Sequence, residues 1–354
     1  MGRSAAPPRP WRRALSLLAV LGGLGLIGMA AGQLARHWSA SPVYEYVMGE
    51  PVTATEPGLR TALESQQVTV RRATVVSADS TLPLAELQLA ESAAGPVLLD
   101  WQARVDDPFL TLAVSPKDID ALVGVLQRHV PQDRTVLAWW DTSRQFQLLA
   151  GARVAFDQHL GTPLFVPTQW RGQRSRVEAI EQAFWHAPGN PGASQDESQA
   201  RFQRFAEALL APEQAGMAAL QALAGNQTAV LVLHLRDMVL LGQMAPDRLG
   251  VAFQDFGGSG DVHGLVRRVR AWLNEHQYAA YSLLPGKDSS VRAIALTDEP
   301  SSQTLAARLL PFIGNEQSDV PGATLVYQVG GFSVFEIAPP TQTAAAAPSE
   351  SRTP

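Results

Sequence analysis

The chain has 354 residues, of which 46% are hydrophobic and 17% charged, enough apolar material for a large folded core and a poor match to disorder. It contains no cysteine, which excludes disulfides, thiolate metal sites, a catalytic cysteine and haem attached through cysteines. The formal net charge is −5. The first 36 residues contain arginines and no acidic residue, so the rest of the chain is more acidic still. An acidic protein is unsuited to phosphate contacts, and nucleic acid is not an expected partner.

The N-terminal region contains a long apolar run. Residues 14–35 have only two polar interruptions, and these 22 residues are enough for a helix to span a bilayer core, which needs roughly 20. Arginines precede the run, and the positive-inside tendency then keeps the N-terminus in the cytoplasm. The sequence therefore predicts a cytoplasmic basic tail at 1–13 and a transmembrane anchor at 14–36. It also predicts a single-pass protein of the cytoplasmic (inner) membrane, with its main domain in the periplasm. A signal peptide cleaved near Gly28–Gly32 is the alternative.

The rest of the chain is predicted to form one exported domain. Residues 37–58 are expected to connect it to the membrane, 59–338 to form the α/β domain, and the low-complexity residues 339–354 to be a disordered tail. The predicted elements, taken from apolar periodicity and capping residues, are a strand at Val68–Val76, short apolar runs at Val97–Trp101 and Phe109–Val114, a helix at Ser115–Val130, a strand at Thr135–Trp140, helices at Ser143–Ala150, Arg174–Trp185 and Ser198–Leu223, strands at Thr228–Leu235 and Leu249–Phe253, a helix at Asp261–Gln277, strands at Ala279–Leu284 and Ser290–Thr297, a helix at Ser302–Phe312, and strands at Thr324–Val329 and Phe332–Ile337.

This alternation of strands and helices is typical of an α/β sandwich with a largely parallel sheet. The last two strands flank Gly330-Gly331, and this short glycine turn predicts a C-terminal antiparallel hairpin.

The most distinctive string is WWDTSRQ at residues 139–145. It follows a predicted strand and precedes a predicted helix, and this is the sheet edge at which α/β proteins place their sites. Successive residues of a strand point to opposite faces, so we expect Trp139 in the core and Trp140 exposed with Arg144. The predicted binding residues are Trp139, Trp140, Asp141, Arg144 and Gln145. A structural role for Asp141 as a helix cap is the alternative.

Other motifs carry less chemistry. The string DFGGSGD at 255–261 lacks the glycine spacing of a phosphate-binding loop and is interpreted as a turn with Asp261 capping the next helix. No histidines have metal-ligand spacing, and no serine lies in a nucleophile elbow. Three close His–carboxylate pairs are interpreted as surface or capping pairs: Asp157/His159, His234/Asp237 and Asp261/His263. The sequence thus predicts no metal site, no cofactor and no catalytic residue, although an unrecognised enzyme acting at the Trp140–Arg144 edge stays open.

Residues 136–145, followed by Leu148–Gly151, resemble HaoB, a family of membrane-anchored proteins encoded beside hydroxylamine oxidoreductase in ammonia- and methane-oxidising bacteria. The length and the single predicted anchor are also similar to that family. The resemblance implies an accessory role in hydroxylamine oxidation. It further implies contact with the multi-haem hydroxylamine oxidoreductase or with its electron acceptor, and it brings no catalytic residues with it.

A second, partial resemblance starts from Trp139-Trp140-Asp141. This string is similar to the Trp-Trp-Asp signature in the exported domain of oligosaccharyltransferase catalytic subunits, where it contacts the acceptor residue of the sequon. The hairpin sequence at Val326–Phe332 also fits such a domain. Those enzymes carry catalytic acids on many membrane helices, and this chain has one predicted helix with none. The resemblance therefore implies a carbohydrate- or peptide-binding module as the alternative function, and not a transferase.

Overall fold

The computed structural model describes residues 43–77, 80, 82–160, 168–185, 193–257, 262–278, 280–286, 290–315 and 319–340. Among these residues, no helix is both long and apolar enough to cross a bilayer. This finding contradicts the predicted single-pass location in the inner membrane, which is not carried further. The predicted anchor at 14–36, the alternative cleavage site and the Asp261 cap lie outside the described residues, as does the chain beyond residue 340.

The described residues contain strands and helices in irregular alternation. The strands are β1 (Glu45–Pro51), β2 (Val70–Val76), β3 (Ala85–Ser92), β4 (Gly95–Ala103), β5 (Thr135–Leu137), β6 (Ala229–His234), β7 (Val251–Phe256), β8 (Ala280–Pro285), β9 (Val291–Leu296), β10 (Ala323–Val329) and β11 (Phe332–Ile337). The helices are α1 (Pro57–Ser65), α2 (Pro116–His129), α3 (Trp140–Ala150), α4 (Arg174–Trp185), α5 (Ala193–Leu210), α6 (Glu213–Leu223), α7 (Leu235–Met244), α8 (Val262–His276), α9 (Glu299–Ser302) and α10 (Leu305–Leu309), with a 3-10 helix at Thr168–Gln173 before α4.

The first sheet is antiparallel and follows chain order, β1-β2-β3-β4. Apolar and polar residues alternate along β3, so that Leu87 and Leu89 are buried while Gln88 between them is half-buried. The helix α1 connects β1 to β2 and buries Leu59 and Leu63. Part of the segment that the sequence assigned to a membrane-proximal connector therefore forms β1 of this sheet.

The second sheet has the order β10-β11-β6-β5 and holds the central core. Its inner strand β6 is buried along its whole length, which explains its continuous apolar sequence. The pair β5–β6 is parallel, whereas β6–β11 and β10–β11 are antiparallel. The third sheet, β7-β9-β8, is antiparallel throughout and packs on Trp272 and Leu273 of α8.

The prediction of a largely parallel sheet is therefore wrong. Among the described residues β5–β6 is the one parallel pair of strands and the other pairs are antiparallel, because an apolar run carries no information on the direction of its neighbour. The predicted C-terminal hairpin is present: Gly330 and Gly331 have φ of +56° and +92° and form its turn. Two successive positive φ values are those of a type I′ turn, which matches the twist of the strands it joins.

Candidate functional site

The WWDTSRQ string does not lie at an exposed sheet edge. The strand β5 ends at Leu137 and α3 begins at Trp140, so most of the string forms the first turns of a helix. All five predicted site residues are buried: Trp139, Trp140, Asp141, Arg144 and Gln145. The prediction of a buried Trp139 is confirmed. The predicted exposure of Trp140 and Arg144 is wrong, since they are 4% and 3% exposed. The cap of α3 is Trp139, and Asp141 instead lies in its first turn.

Arg144 and Gln145 bind α3 to the beginning of β4. The Arg144 guanidinium donates to the carbonyl oxygens of Pro96 at 2.7 Å and Ala94 at 3.2 Å, and Gln145 Nε2 donates to the Leu98 carbonyl at 2.7 Å. Burial lowers the pKa of Arg144 to about 10, and the nearby Asp157 and Asp141 oppose this shift. These two side chains join the helix to the first sheet and offer no exposed surface to a partner.

Asp141 forms a buried ion pair with Arg236 of α7. Arg236 Nη2 donates to both carboxylate oxygens of Asp141, at 2.8 and 2.7 Å, and to Thr142 Oγ1 at 3.2 Å. A second acid, Asp237, has its Oδ1 atom 3.5 Å from Arg236 Nε. Burial raises the pKa of Asp237, and the charge of Arg236 opposes that rise. The network therefore contains two acids around one arginine, all nearly excluded from water.

His234 and Asp237 form a capping box at the start of α7. His234 Nδ1 accepts from the Arg236 backbone N–H at 3.0 Å, and Asp237 accepts from the His234 backbone N–H at 2.8 Å. The interpretation of this pair as a cap is confirmed, although both residues are buried. Burial, helped by Arg236, lowers the pKa of His234 to about 3, so the ring is neutral at neutral pH. Because Nδ1 accepts, Nε2 carries the proton and donates to the Gly330 carbonyl at 3.1 Å.

A separate group of polar and aromatic residues, buried apart from the half-buried Tyr46, surrounds Glu181 of α4. We call it the Glu181 cluster; it consists of Tyr44, Tyr46, His159, Trp170, Glu181 and Trp185. The two tyrosines donate to the same oxygen, Glu181 Oε1, Tyr46 at 2.8 Å. Burial raises the pKa of Glu181 to about 6, and these hydrogen bonds limit the rise. Burial of the two tyrosines, together with the negative charge of Glu181, raises the pKa of both phenols.

Aromatic rings form the walls of the Glu181 cluster. Tyr44 stacks on Trp170 with ring centroids 4.9 Å apart, and His159 stacks on Trp185 at the same spacing. His159 Nε2 also lies 3.8 Å from Glu181 Oε2. Together with apolar side chains from Val75 to Leu110, these rings line a cavity of about 30 Å³, which exceeds the ~10–15 Å³ needed to hold a water molecule. A buried acid of raised pKa beside a small cavity is typical of functional sites, and we take this cluster as the candidate site.

The WWDTSRQ string contributes to this site through Trp140, whose ring lies edge-on to His159 with centroids 4.3 Å apart. Sequence reasoning did not find the other members. It considered His159 only with Asp157, and it assigned both tyrosines to the connector. Glu181 is 137 residues from Tyr44 and 135 from Tyr46, so no local spacing could have brought them together. Within the described ranges, no three His, Asp or Glu side chains are grouped so that they could hold a metal ion.

The outer edge of the second sheet is a different kind of candidate surface. The edge strand β10 has the sequence ATLVYQV, with no charged residue, and its Leu325 and Val326 are 49% and 56% exposed. None of the described residues pairs with its outer side. The register shifts between Leu325 and Tyr327, which leaves Val326 as a bulge. Natural proteins usually protect such an edge with charges, so an apolar edge without charges indicates a contact surface.

A comparison with protein families decides the affiliation of the chain. The family model described as HaoA-associated protein HaoB matches residues 10–337. The chain belongs to the HaoB family. This confirms the resemblance drawn from residues 136–151, and membership in HaoB supports the accessory role in hydroxylamine oxidation that the resemblance implies.

Comparison with solved structures finds the C-terminal globular domain of the oligosaccharyltransferase from Archaeoglobus fulgidus. The TM-score is 0.30 and the sequence identity 11%, over 62% of this chain and 96% of that domain. It is the class of domain that the Trp-Trp-Asp string also resembles. No curated protein matches this HaoB-family chain.

Proposed function

We propose that this HaoB-family protein serves hydroxylamine oxidation by binding the multi-haem hydroxylamine oxidoreductase, and that β10 is the contact edge. The observation that supports this most directly is the family match. The family is described as HaoA-associated, and its model matches nearly the whole chain. The electron acceptor of the oxidoreductase is the alternative partner.

The chemistry of β10 suits an extended segment of the partner. A free strand edge offers backbone N–H and C=O groups to a further strand, and alternate side chains then supply specificity. The bulge at Val326 limits uncontrolled pairing of the edge with other chains and turns an apolar side chain outward. Another edge strand of the same length, β1, carries Glu45 and Glu50 and is therefore better protected.

A carbohydrate- or peptide-binding role for the Trp-Trp-Asp string gains no such support. Trp139, Trp140 and Asp141 are each 4% exposed, so they present almost no surface to a glycan or a peptide. What remains of the predicted binding site is the contact of Trp140 with the Glu181 cluster, which we propose as the role of this string.

The test is a binding measurement between the purified chain and purified hydroxylamine oxidoreductase. Val326→Lys should weaken binding by at least about tenfold, because it puts a charge into an apolar contact and a tenfold change requires only about 1.4 kcal/mol. Val47→Lys is the matched control on β1, since Val47 is 45% exposed in an edge strand, and it should bind as the wild type does. Equal binding by both variants would refute β10 as the contact. Binding to the electron acceptor alone would refute the choice of partner.

A further inference from the structure

A second and larger cavity, of about 270 Å³, lies where the helices α2 and α3 end. Its lining includes Val130, which directly follows the last turn of α2, and Ala150 and Gly151 at the end of α3. This volume is close to the lower end of the ~300–1,000 Å³ that small-molecule sites occupy. The lining shares no residue with the Glu181 cluster or with β10, so this cavity is separate from both.

The charged residues of the lining are two arginines. Arg134 and Arg153 line the cavity, and among the described residues no acid does so. The backbone brings them to neighbouring positions, because Val136, two residues after Arg134, donates its N–H to the Arg153 carbonyl at 2.8 Å. Arg134 forms an ion pair with Glu336, whereas Arg153 is exposed and forms no ion pair within the ranges that the structure describes. The cavity therefore carries one uncompensated positive charge, in a protein whose net charge is negative.

The ends of the two helices do not neutralise this charge. The last carbonyl groups of a helix are partly negative and by themselves would attract an arginine. Here the Phe146 carbonyl accepts from the Ala152 backbone N–H at 3.3 Å. The Leu149 carbonyl accepts from Gln127 Nε2 at 3.1 Å. Arg153 donates a hydrogen bond to none of the described residues, so its guanidinium is available to an anion.

We propose that this cavity binds a small organic carboxylate, whose charged group pairs with Arg153 and whose apolar part lies against Leu126 and Val130. A guanidinium is planar and can hold both oxygens of a carboxylate at once. Apolar residues form much of the lining, and an inorganic oxyanion would leave them without a contact. Binding at this cavity does not depend on the contact of β10 with the oxidoreductase.

The test follows the backbone N–H resonance of Gly151 in nitrogen-labelled full-length protein, assigned by its loss in Gly151→Asn. Gly151 lines the cavity and has φ of +63°, a conformation that asparagine also adopts. Benzoate, added at neutral pH and constant ionic strength, should shift this resonance and saturate in the millimolar range, because an ion pair at an exposed arginine is weak. Benzyl alcohol has the ring without the charge, and phosphate has the charge without the ring. Each should bind at least about tenfold more weakly than benzoate.

Two arginine variants separate the cavity from the general charge of the surface. Arg153→Gln should weaken benzoate binding at least about tenfold, because charge-assisted hydrogen bonds to the carboxylate are lost. Arg128→Gln is the matched control and should bind benzoate as the wild type does. Arg128 lies in the last turn of α2 but outside the lining, where its Nε donates to the Gly124 carbonyl at 2.8 Å. Both replaced side chains are exposed, so both variants should keep the fold.

A shift that is saturable with benzoate and lost only in Arg153→Gln would support the site. The absence of a saturable shift with benzoate would overturn the proposal, as would equal weakening in the two variants. Binding of benzyl alcohol or phosphate as tight as that of benzoate would refute the class of ligand. The measurement uses the protein without its partner, so a failure to bind hydroxylamine oxidoreductase does not affect it.

Discussion

Arg236→Met should destabilise the fold strongly, although it replaces a charged residue with an apolar one of similar length. Arg236 is 2% exposed and holds both oxygens of Asp141, while Asp237 lies on its other side. Removing the guanidinium leaves two buried acids without their shared cation. Loss of one partner of a buried ion pair costs roughly 3–5 kcal/mol, most of it the cost of the remaining uncompensated charge.

The assay is unfolding by urea, followed by tryptophan fluorescence, with the slope checked against the wild type. The double variant Arg236→Met/Asp141→Leu should lose less than Arg236→Met alone, because the orphaned carboxylate of Asp141 is gone. Arg248→Met is the control: its partner Glu207 and Arg248 itself are 46% and 47% exposed, and such pairs contribute about 0–1 kcal/mol. A loss for Arg236→Met no larger than that of Arg248→Met would refute this reasoning, as would a double variant equal to the sum of its singles.

Two further predictions concern the string and the candidate site. Trp140→Ala should cost about 3–5 kcal/mol in the same assay, as expected for a buried tryptophan, and a loss below about 1 kcal/mol would show that Trp140 does not pack as described. Burial raises the pKa of Glu181 from 4.5 to about 6, so the folded state binds this proton more tightly and stability should fall as pH rises through this interval. The penalty above pH 6 should be about 2 kcal/mol and should be absent from Glu181→Gln; a pH-independent difference between wild type and variant would contradict it.

Local signals in the sequence predicted the elements that they control. The helix at Arg174–Trp185 and the strand at Phe332–Ile337 have the predicted bounds, and α2 begins at Pro116 immediately after Ser115, where the capping residues indicated a start. The turn at Gly330–Gly331 followed from its two glycines. In each case the deciding interactions lie within a few residues of one another.

Elements that depend on distant partners could not be predicted in this way. The strands β5 and β6 pair in parallel although about ninety residues separate them, and no apolar pattern encodes that choice. The assignment of Trp140 failed because it used strand alternation at a residue where the helix had already begun. The helix α7 was missed because the apolar run of β6 continues into it, and only the buried capping box of His234 and Asp237 marks the boundary.

The WWDTSRQ string therefore owes its distinctiveness to packing, and this changes how its variants must be interpreted. Its residues bind the beginning of β4 through Arg144, the α7 network through Asp141, and the Glu181 cluster through Trp140. A change at any of these positions disrupts packing contacts within the fold, so it lowers stability whether or not the residue contacts a partner. Loss of hydroxylamine oxidoreductase binding in Trp140→Ala would then be uninformative about contact. The same loss in Val326→Lys, at an exposed position whose side chain the fold does not need, is direct evidence for the interface.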